Sequence, residues 1–106
     1  MNKWTVLLFF LPFLSVAYTQ DTGKITDIFV SQNGSLAIKI NSGKQGIPNA
    51  AKKFSCTSGS GWVGLSNPHS IIVSAIMTAK TTQEEVVVTI DGCEGGWFKI
   101  KDMYIK

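Results

Sequence analysis

The chain contains no arginine, and all ten of its basic residues are lysine. A domain that binds nucleic acid usually carries a strongly basic surface that includes arginine. Here the lysines are scattered, and Lys52-Lys53 is their only adjacent pair. Without the first seventeen residues, nine lysines stand against seven acidic residues, a net charge of +2. We therefore expect the lysines on solvated faces and no nucleic-acid partner.

Residues that carry catalysis or bind metals are also scarce. His69 is the only histidine, and it lies at the start of the predicted helix, whose positive end lowers the basicity of an imidazole. Glu84 and Glu85 are neighbours in a predicted strand, so their side chains point to opposite faces. The run Ser58-Gly59-Ser60-Gly61 lacks the strand–turn–helix context of a nucleophile elbow. We predict no catalytic residue, no metal and no cofactor.

No apolar run reaches the roughly 20 residues that a membrane-spanning helix needs. A shorter run, residues 4–14, follows Lys3, and the small residues 15–17 come after it. This is the layout of a secretory signal peptide. We predict a signal peptide at residues 1–17, with cleavage two residues later or an uncleaved anchor as alternatives. The remaining residues, 18–106, are expected to form one domain that is secreted or periplasmic.

Cys56 and Cys93 are the only cysteines. In an exported protein two thiols most often form one disulfide. Closing that loop would stabilise a small domain by about 3–4 kcal/mol in the chain-entropy model. A metal site is the alternative, but it needs four donors, so His69 and carboxylates would have to join the cysteines. We predict the disulfide.

Alternation of apolar and polar residues predicts five short strands. Asn33-Gly34 is typical of a type I′ hairpin turn. Pro68, after a capping Ser66 or Asn67, indicates the start of a helix. Residues 42–53 are expected to be a loop. The predicted strands are 24–30, 35–41, 54–65, 85–90 and 97–105, and the predicted helix is 68–81.

This order, β-β-β-α-β-β, is typical of one small architecture. Five short strands with a helix between the third and fourth are the elements of the OB-fold. We therefore predict a mainly β protein with one α-helix, folded as a five-stranded Greek-key barrel whose helix plugs one end.

The predicted helix is more apolar than the plug of a barrel needs to be. One stripe at helical spacing consists of Ile72, Ala75, Ile76 and Ala79. Ile71, Val73 and Met77 extend the apolar surface beside this stripe. Excess apolar surface on a helix indicates a partner, so we expect these three residues at an oligomer interface. The alternative is that the loop 43–53 covers them.

Three segments, a helix rich in alanine and isoleucine, and the two cysteines resemble a known family over residues 24–105. The segments are Ile25-Thr26-Asp27-Ile28-Phe29-Val30, Val73-Ser74-Ala75-Ile76-Met77-Thr78-Ala79-Lys80 and Val86-Val87-Val88-Thr89-Ile90-Asp91-Gly92-Cys93. The family is the binding subunits of AB5 toxins, of the subtilase cytotoxin and typhoid toxin type. The resemblance implies a pentameric ring around a pore lined by helices. It also implies binding of a host cell-surface glycan, often sialylated, and an exported enzymatic A subunit.

In that family a serine beside tyrosines, just before the first strand, contacts the carboxylate of sialic acid. Alignment through Ile25 puts Gln20-Asp21-Thr22 at this place. Thr22 or Thr19 would supply the hydroxyl there, whereas Asp21 would repel a carboxylate. The resemblance thus implies Asp21 and Thr22 as residues of a glycan site.

Trp62 and Trp97 are further candidates for the glycan site. Each lies next to glycine in or beside a predicted strand, and an exposed tryptophan suits stacking on a sugar ring. The alternative is that both fill the barrel core or cover its ends, and we expect Phe29 to be structural as well. The predicted function is a non-catalytic, oligomeric, glycan-binding subunit. A monomeric periplasmic OB-fold protein that binds another protein, as an inhibitor or envelope stress factor, is the alternative.

Overall fold

The structure, a computed structural model, describes residues 17–42, 44–57 and 61–106. The predicted signal peptide up to residue 16 and the run 58–60 lie outside these residues. The described part is mainly β, with five strands and two α-helices, and none of its helices is long and apolar enough to cross a membrane. The elements are β1 (Thr19–Val30), β2 (Leu36–Ile40), a 3-10 turn (Lys44–Gly46), α1 (Pro48–Lys53), β3 (Val63–Leu65), α2 (Ser70–Thr82), β4 (Glu85–Glu94) and β5 (Trp97–Ile105).

The strand pairing closes on itself in the order β1-β2-β3-β5-β4. All pairs are antiparallel except β3 with β5, which is parallel. β1 has two partners, since residues 19–24 pair with β4 and residues 25–30 pair with β2. The register of β1 shifts between Ile25 and Asp27, and such an irregularity lets a strand bend around a barrel corner.

Alternate strand residues point into a core of branched apolar side chains. In β4, Val86, Val88 and Ile90 are completely buried, as period-two alternation predicts. α2 contributes Ile76 and Ala79 to the same cluster. The other core residues are Ile25, Leu36, Ile38, Ile40, Ile47, Ala50, Cys56, Val63, Phe98 and Ile100.

The mainly β class, the five strands and the helix between the third and fourth strands are confirmed. Four details of the predicted strands and helices are wrong. The fourth strand continues to Glu94 instead of ending at residue 90. The predicted loop 42–53 contains the 3-10 turn and α1, so the chain has two α-helices instead of one. The third strand is confined to Val63–Leu65 instead of 54–65. The first strand begins at Thr19 because residues 19–24 pair with β4, a contact that local alternation does not reveal.

The turns also differ from their prediction. In the first hairpin Gly34 donates its N–H to the carbonyl oxygen of Ser31, at 2.9 Å. Gly34 has a φ of 97°, but Asn33 does not have positive φ. A type I′ turn needs positive φ at both central residues, so this turn is of another type.

His69, and not Ser66 or Asn67, caps α2. Its Nδ1 accepts the backbone N–H of Ile71 at 3.1 Å. The helix therefore begins at Ser70, two residues later than predicted, and it ends before Gln83, which is left-handed with a φ of 59°. The last strand, Trp97–Ile105, has the predicted bounds.

Candidate functional site

Three aromatic side chains meet on the outside of the barrel. The ring of Phe29 lies 6.0 Å from that of Trp62 and 5.8 Å from that of Trp97, measured between centroids. The interplanar angles are 63° and 71°, so both contacts are edge-to-face, an arrangement that aromatic pairs favour. We call Phe29, Trp62 and Trp97 the aromatic platform.

Strand parity places the platform on the outer face. Phe29 lies opposite Ala37 of β2, and Ala37 lies opposite Gly64 of β3. Trp62 is two residues before Gly64 and therefore shares its face. Trp97 precedes Phe98, whose buried side chain points inward. The platform thus extends over the end of β1, the strands β2 and β3, and the start of β5.

Small residues beneath the platform allow the strands to approach closely. Ala37 is fully buried although it lies on the outer face, as expected for a residue beneath aromatic rings. A Cβ added to Gly64 would overlap the carbonyl oxygen of Leu36 and the backbone of Ala37. Position 64 therefore requires glycine for the pairing of β2 with β3.

The platform is accessible to solvent. Phe29 is 43% exposed, and Trp62 and Trp97 are each partly exposed. Neither tryptophan belongs to the core cluster, so the two do not both fill the barrel core. Val30, next to Phe29, is 61% exposed and extends the apolar surface.

Lys39 adds a positive charge to the platform. Its Nζ lies 4.8 Å from the centroid of the Trp62 ring, within the range of a cation–π contact. Lys39 is half-buried and lies on β2, on the same face as Ala37. Among the described residues the ion pair found is between Lys106 and Glu85, so Lys39 has no carboxylate partner there. Its ammonium can therefore donate hydrogen bonds to a ligand.

Glu94 links the edge of the platform to the segment between β3 and α2. It lies opposite Trp97 in the β4–β5 pairing, and its Oε2 accepts the backbone N–H of Ser66 at 3.2 Å. The backbone and side-chain hydrogen bonds from Ser66 hold the pKa of the Glu94 carboxyl below its usual value. The carboxylate is thus ionised and bound to the protein.

Asp21, one of the predicted glycan contacts, is buried and has a structural role. Its side chain is 4% exposed, and it accepts the backbone N–H of Asn49 at Oδ1 and that of Ala50 at Oδ2, at 3.1 and 2.9 Å. Burial raises the pKa of the Asp21 carboxyl, and the hydrogen bonds from Ala50 and Asn49 oppose that rise. Asp21 therefore joins β1 to the first turn of α1 and is not on the surface.

Thr22 is exposed but is distant from the platform. It lies seven residues before Phe29 on β1, which is roughly 20 Å at the rise of a strand. It pairs with Val87 of β4, and Val87 pairs with Tyr104 of β5. Thr22 thus lies on another part of the outer surface, formed by β1, β4 and β5. The structure does not bring it together with Trp62 and Trp97.

The sequence interpretation missed Phe29 and Lys39 as platform residues. Phe29 was expected to be structural, and Lys39, like the other lysines, was expected on a solvated face. The signal was the parity of the second strand, since Ala37 and Lys39 alternate with its buried isoleucines. Only the pairing register shows that Phe29 is beside Ala37.

The three residues predicted at an oligomer interface on α2 divide into two groups. Ile71 is 69% exposed and Met77 is 39% exposed. Val73 is half-buried and packs against the core of its own domain. Ile71 and Met77 therefore remain on an open helix face, and Val73 does not.

The predicted disulfide between Cys56 and Cys93 is present, with Cα atoms 5.6 Å apart. Beside it is a cavity of about 210 Å³, lined by residues 51–56 and Phe98, which contains no platform residue. Within the described ranges no three histidine, cysteine or acidic residues are grouped so that they could hold a metal.

Comparison with known proteins finds no family model, no curated protein and no solved structure that matches the chain. The aromatic platform and the open face of α2 are therefore the features from which a function has to be inferred.

Proposed function

We propose that the chain is a non-catalytic OB-fold subunit that binds a cell-surface carbohydrate through the aromatic platform. Two features support the OB-fold: the strand order β1-β2-β3-β5-β4 and the position of α2 between β3 and β4. OB-folds bind oligosaccharides and oligonucleotides on the face of their second and third strands and the adjoining loops. The platform occupies the corresponding face here.

The single observation that carries the proposal is the exposed contact of Phe29 with two tryptophans beside Lys39. A pyranose ring has apolar faces of C–H groups that pack on aromatic rings, and a rim of hydroxyl groups that form hydrogen bonds. Trp97 and Phe29 offer aromatic surface, and the Lys39 ammonium offers hydrogen-bond donors. The absence of arginine disfavours a polyanion such as nucleic acid as the ligand.

The open face of α2 supports assembly into an oligomer. Ile71 and Met77 are exposed together with Ser70, Ser74, Thr78 and Thr81, and none of these residues is charged. A helix face of this kind can pack against its copy without burying a charge. We propose a homo-oligomer, as the resemblance to pentameric toxin subunits implies. It is exported by the predicted signal peptide and assembles with an exported enzymatic subunit.

A glycan-array screen with the purified protein tests the binding proposal. Trp97→Ala and Trp62→Ala should each weaken binding to the best glycan at least about tenfold, because a central aromatic anchor contributes 2 kcal/mol or more. Tyr104→Ala is the matched control, since Tyr104 is an aromatic residue on β5 that is 58% exposed and outside the platform. Equal binding by the tryptophan variants and the control would exclude the platform as the site.

Protein binding is the second candidate function, and Val30 favours it. Val30 is 61% exposed beside Phe29, so the apolar surface extends past the rings. A monomer that binds no glycan on the array would support this candidate, a periplasmic OB-fold protein with a protein partner.

A further inference from the structure

The second half of β5 has a free edge. Its first residues pair with β3, but that pairing includes only Phe98 and Lys99. β5 then continues to Ile105 with β4 as its strand partner. In the part of the chain that the structure describes, residues 100–105 are therefore unpaired on one side.

The backbone groups of Met103 and Ile105 face this free edge. The N–H of Lys106 donates to the carbonyl oxygen of Glu85 on β4, at 2.8 Å. Because hydrogen-bonded residues alternate along an antiparallel pair, Tyr104 also faces β4, and Met103 and Ile105 face away from it. None of the described residues accepts a hydrogen bond from the N–H of Met103 or of Ile105.

The second half of β1 has a free edge of the same kind. Its pairing with β4 ends before residue 25, and residues 25–30 pair with β2. The N–H of Ser31 donates to the carbonyl oxygen of Ser35 at 2.9 Å. By the same alternation, the backbone groups of Ile28 and Val30 face away from β2. The described ranges of the chain offer no acceptor for either N–H.

Both free edges also leave apolar side chains uncovered. On β5, Ile105 is half-buried, although its partner Val86 on β4 is completely buried. On β1, Val30 is 61% exposed, although its partner Leu36 on β2 is 3% exposed. A strand edge with unpaired backbone groups and apolar side chains is a template for pairing with another strand.

We propose that the free edge of β1 in one copy pairs, antiparallel, with the free edge of β5 in the next copy, an inference that rests on the proposed homo-oligomer. Each copy then uses its two edges against two different neighbours. Head-to-tail contacts of this kind generate a ring when their rotation closes. A two-fold dimer through either edge would leave the other edge of each copy unpaired.

One register matches the inner sides of the two edges. The outward-facing backbone groups coincide when Ile28 lies opposite Ile105 of the partner subunit. Val30 then lies opposite the partner's Met103. All four side chains are apolar, so the pairing covers the surface that each edge leaves exposed.

The outer side of the same register is complementary in charge and in shape. Asp27 lies opposite the partner's Lys106, and Phe29 lies opposite the partner's Tyr104. Oppositely charged pairs and aromatic pairs both stabilise antiparallel strands. The ion pair of Lys106 with Glu85 is solvent-exposed on both sides, so the ammonium can also reach Asp27. Replacing Tyr104 by alanine would remove one side-chain pair and no backbone hydrogen bond, so that variant stays assembled.

Disulfide cross-linking of the full chain tests this register. It puts Ser31 opposite the partner's Asp102, and opposite residues in antiparallel strands have Cα atoms about 4.5–5.5 Å apart, which a disulfide can bridge. Ser31→Cys with Asp102→Cys should therefore give a ladder of covalent multimers on a non-reducing gel, ending at the mass of the native oligomer in light scattering. Ser31→Cys with Thr22→Cys is the matched control and should give no ladder, because Thr22 pairs with β4 away from both free edges.

The outcomes separate this pairing from the proposed homo-oligomer. A native oligomer whose Ser31→Cys, Asp102→Cys variant forms no ladder would overturn the strand pairing and leave the α2 contact in place. Covalent dimers from Ser31→Cys or Asp102→Cys alone would indicate a two-fold contact and would overturn the head-to-tail pairing. A monomer in light scattering would refute the homo-oligomer itself, and this inference with it.

A charge exchange tests the same contact without added thiols. Asp27→Lys puts two lysines opposite each other and should raise the concentration for half-assembly at least about tenfold. Lys106→Asp in the same chain should restore assembly, because every contact contains one residue of each kind. Lys24→Asp is the matched control, since Lys24 pairs with β4 of its own chain and should not restore assembly. Failure of Lys106→Asp to restore assembly, with an unchanged far-UV circular dichroism, would overturn the register.

Discussion

Replacing Asp21 by alanine should destabilise the domain by about 2 kcal/mol. The side chain accepts the backbone N–H groups of Asn49 and Ala50, and these two groups begin α1. Ala50 is completely buried, so its N–H would lose its partner without gaining water. A buried donor without a partner costs about 1–3 kcal/mol. Asn49 is exposed, so water can replace the lost contact there, and removal of a buried carboxylate offsets part of the loss.

Urea unfolding followed by far-UV circular dichroism measures this difference. Asp27→Ala is the matched control, since Asp27 is an exposed aspartate on the same strand. A domain of this size is expected to have a free energy of unfolding of about 5–15 kcal/mol, so a loss of 2 kcal/mol is readily resolved. If Asp21→Ala and Asp27→Ala unfold at the same urea concentration, the contact from β1 to α1 does not stabilise the fold.

The same site predicts the sign of a pH dependence. Burial raises the pKa of Asp21 above its ordinary value of 3.8. The resulting stabilisation is complete below that ordinary pKa and is lost as the pH rises through the folded-state pKa. The stability of the native protein minus that of Asp21→Asn should therefore be largest at acidic pH and should fall towards neutral pH. Glu94 has the opposite sign, because its pKa is lowered, but it is present in both proteins and cancels. A difference that grows with rising pH would refute the reasoning.

Two further predictions concern the strands and the helix. Gly64→Ala should separate β2 from β3, because the new Cβ would overlap the carbonyl oxygen of Leu36. We expect a loss of at least about 1–3 kcal/mol in urea unfolding, and an unchanged unfolding midpoint would refute the overlap. Ile71→Lys together with Met77→Lys should lower the solution mass measured by light scattering to that of a monomer, because charge would be buried in the interface. An unchanged oligomer would exclude this helix face as the contact.

Local pattern was enough to predict the elements whose residues repeat regularly. The last strand, Trp97–Ile105, has the predicted bounds. The isoleucines of β2 and the inward-facing Val86, Val88 and Ile90 of β4 are buried as their alternation predicts, and Val87, on the other face, is buried too. α1 was missed because its first turn is held by Asp21, 28 residues before Asn49 in the chain. A contact between residues so far apart leaves no periodic signal. The early start of β1 was missed for the same reason, since Thr19 and its neighbours pair with β4.

Residue order and composition were sufficient to predict the mainly β class, the second, fourth and fifth strands and α2 to within about four residues, and the pairing of the two cysteines. These depend on side-chain periodicity and on cysteine count, which are local or compositional. The three-dimensional fold, by contrast, brings Phe29, Trp62 and Trp97 onto one surface with Lys39 and buries Asp21 away from it. Strand register and closure of the strand pairing bring distant residues together, and neither can be inferred from the order of residues along one strand.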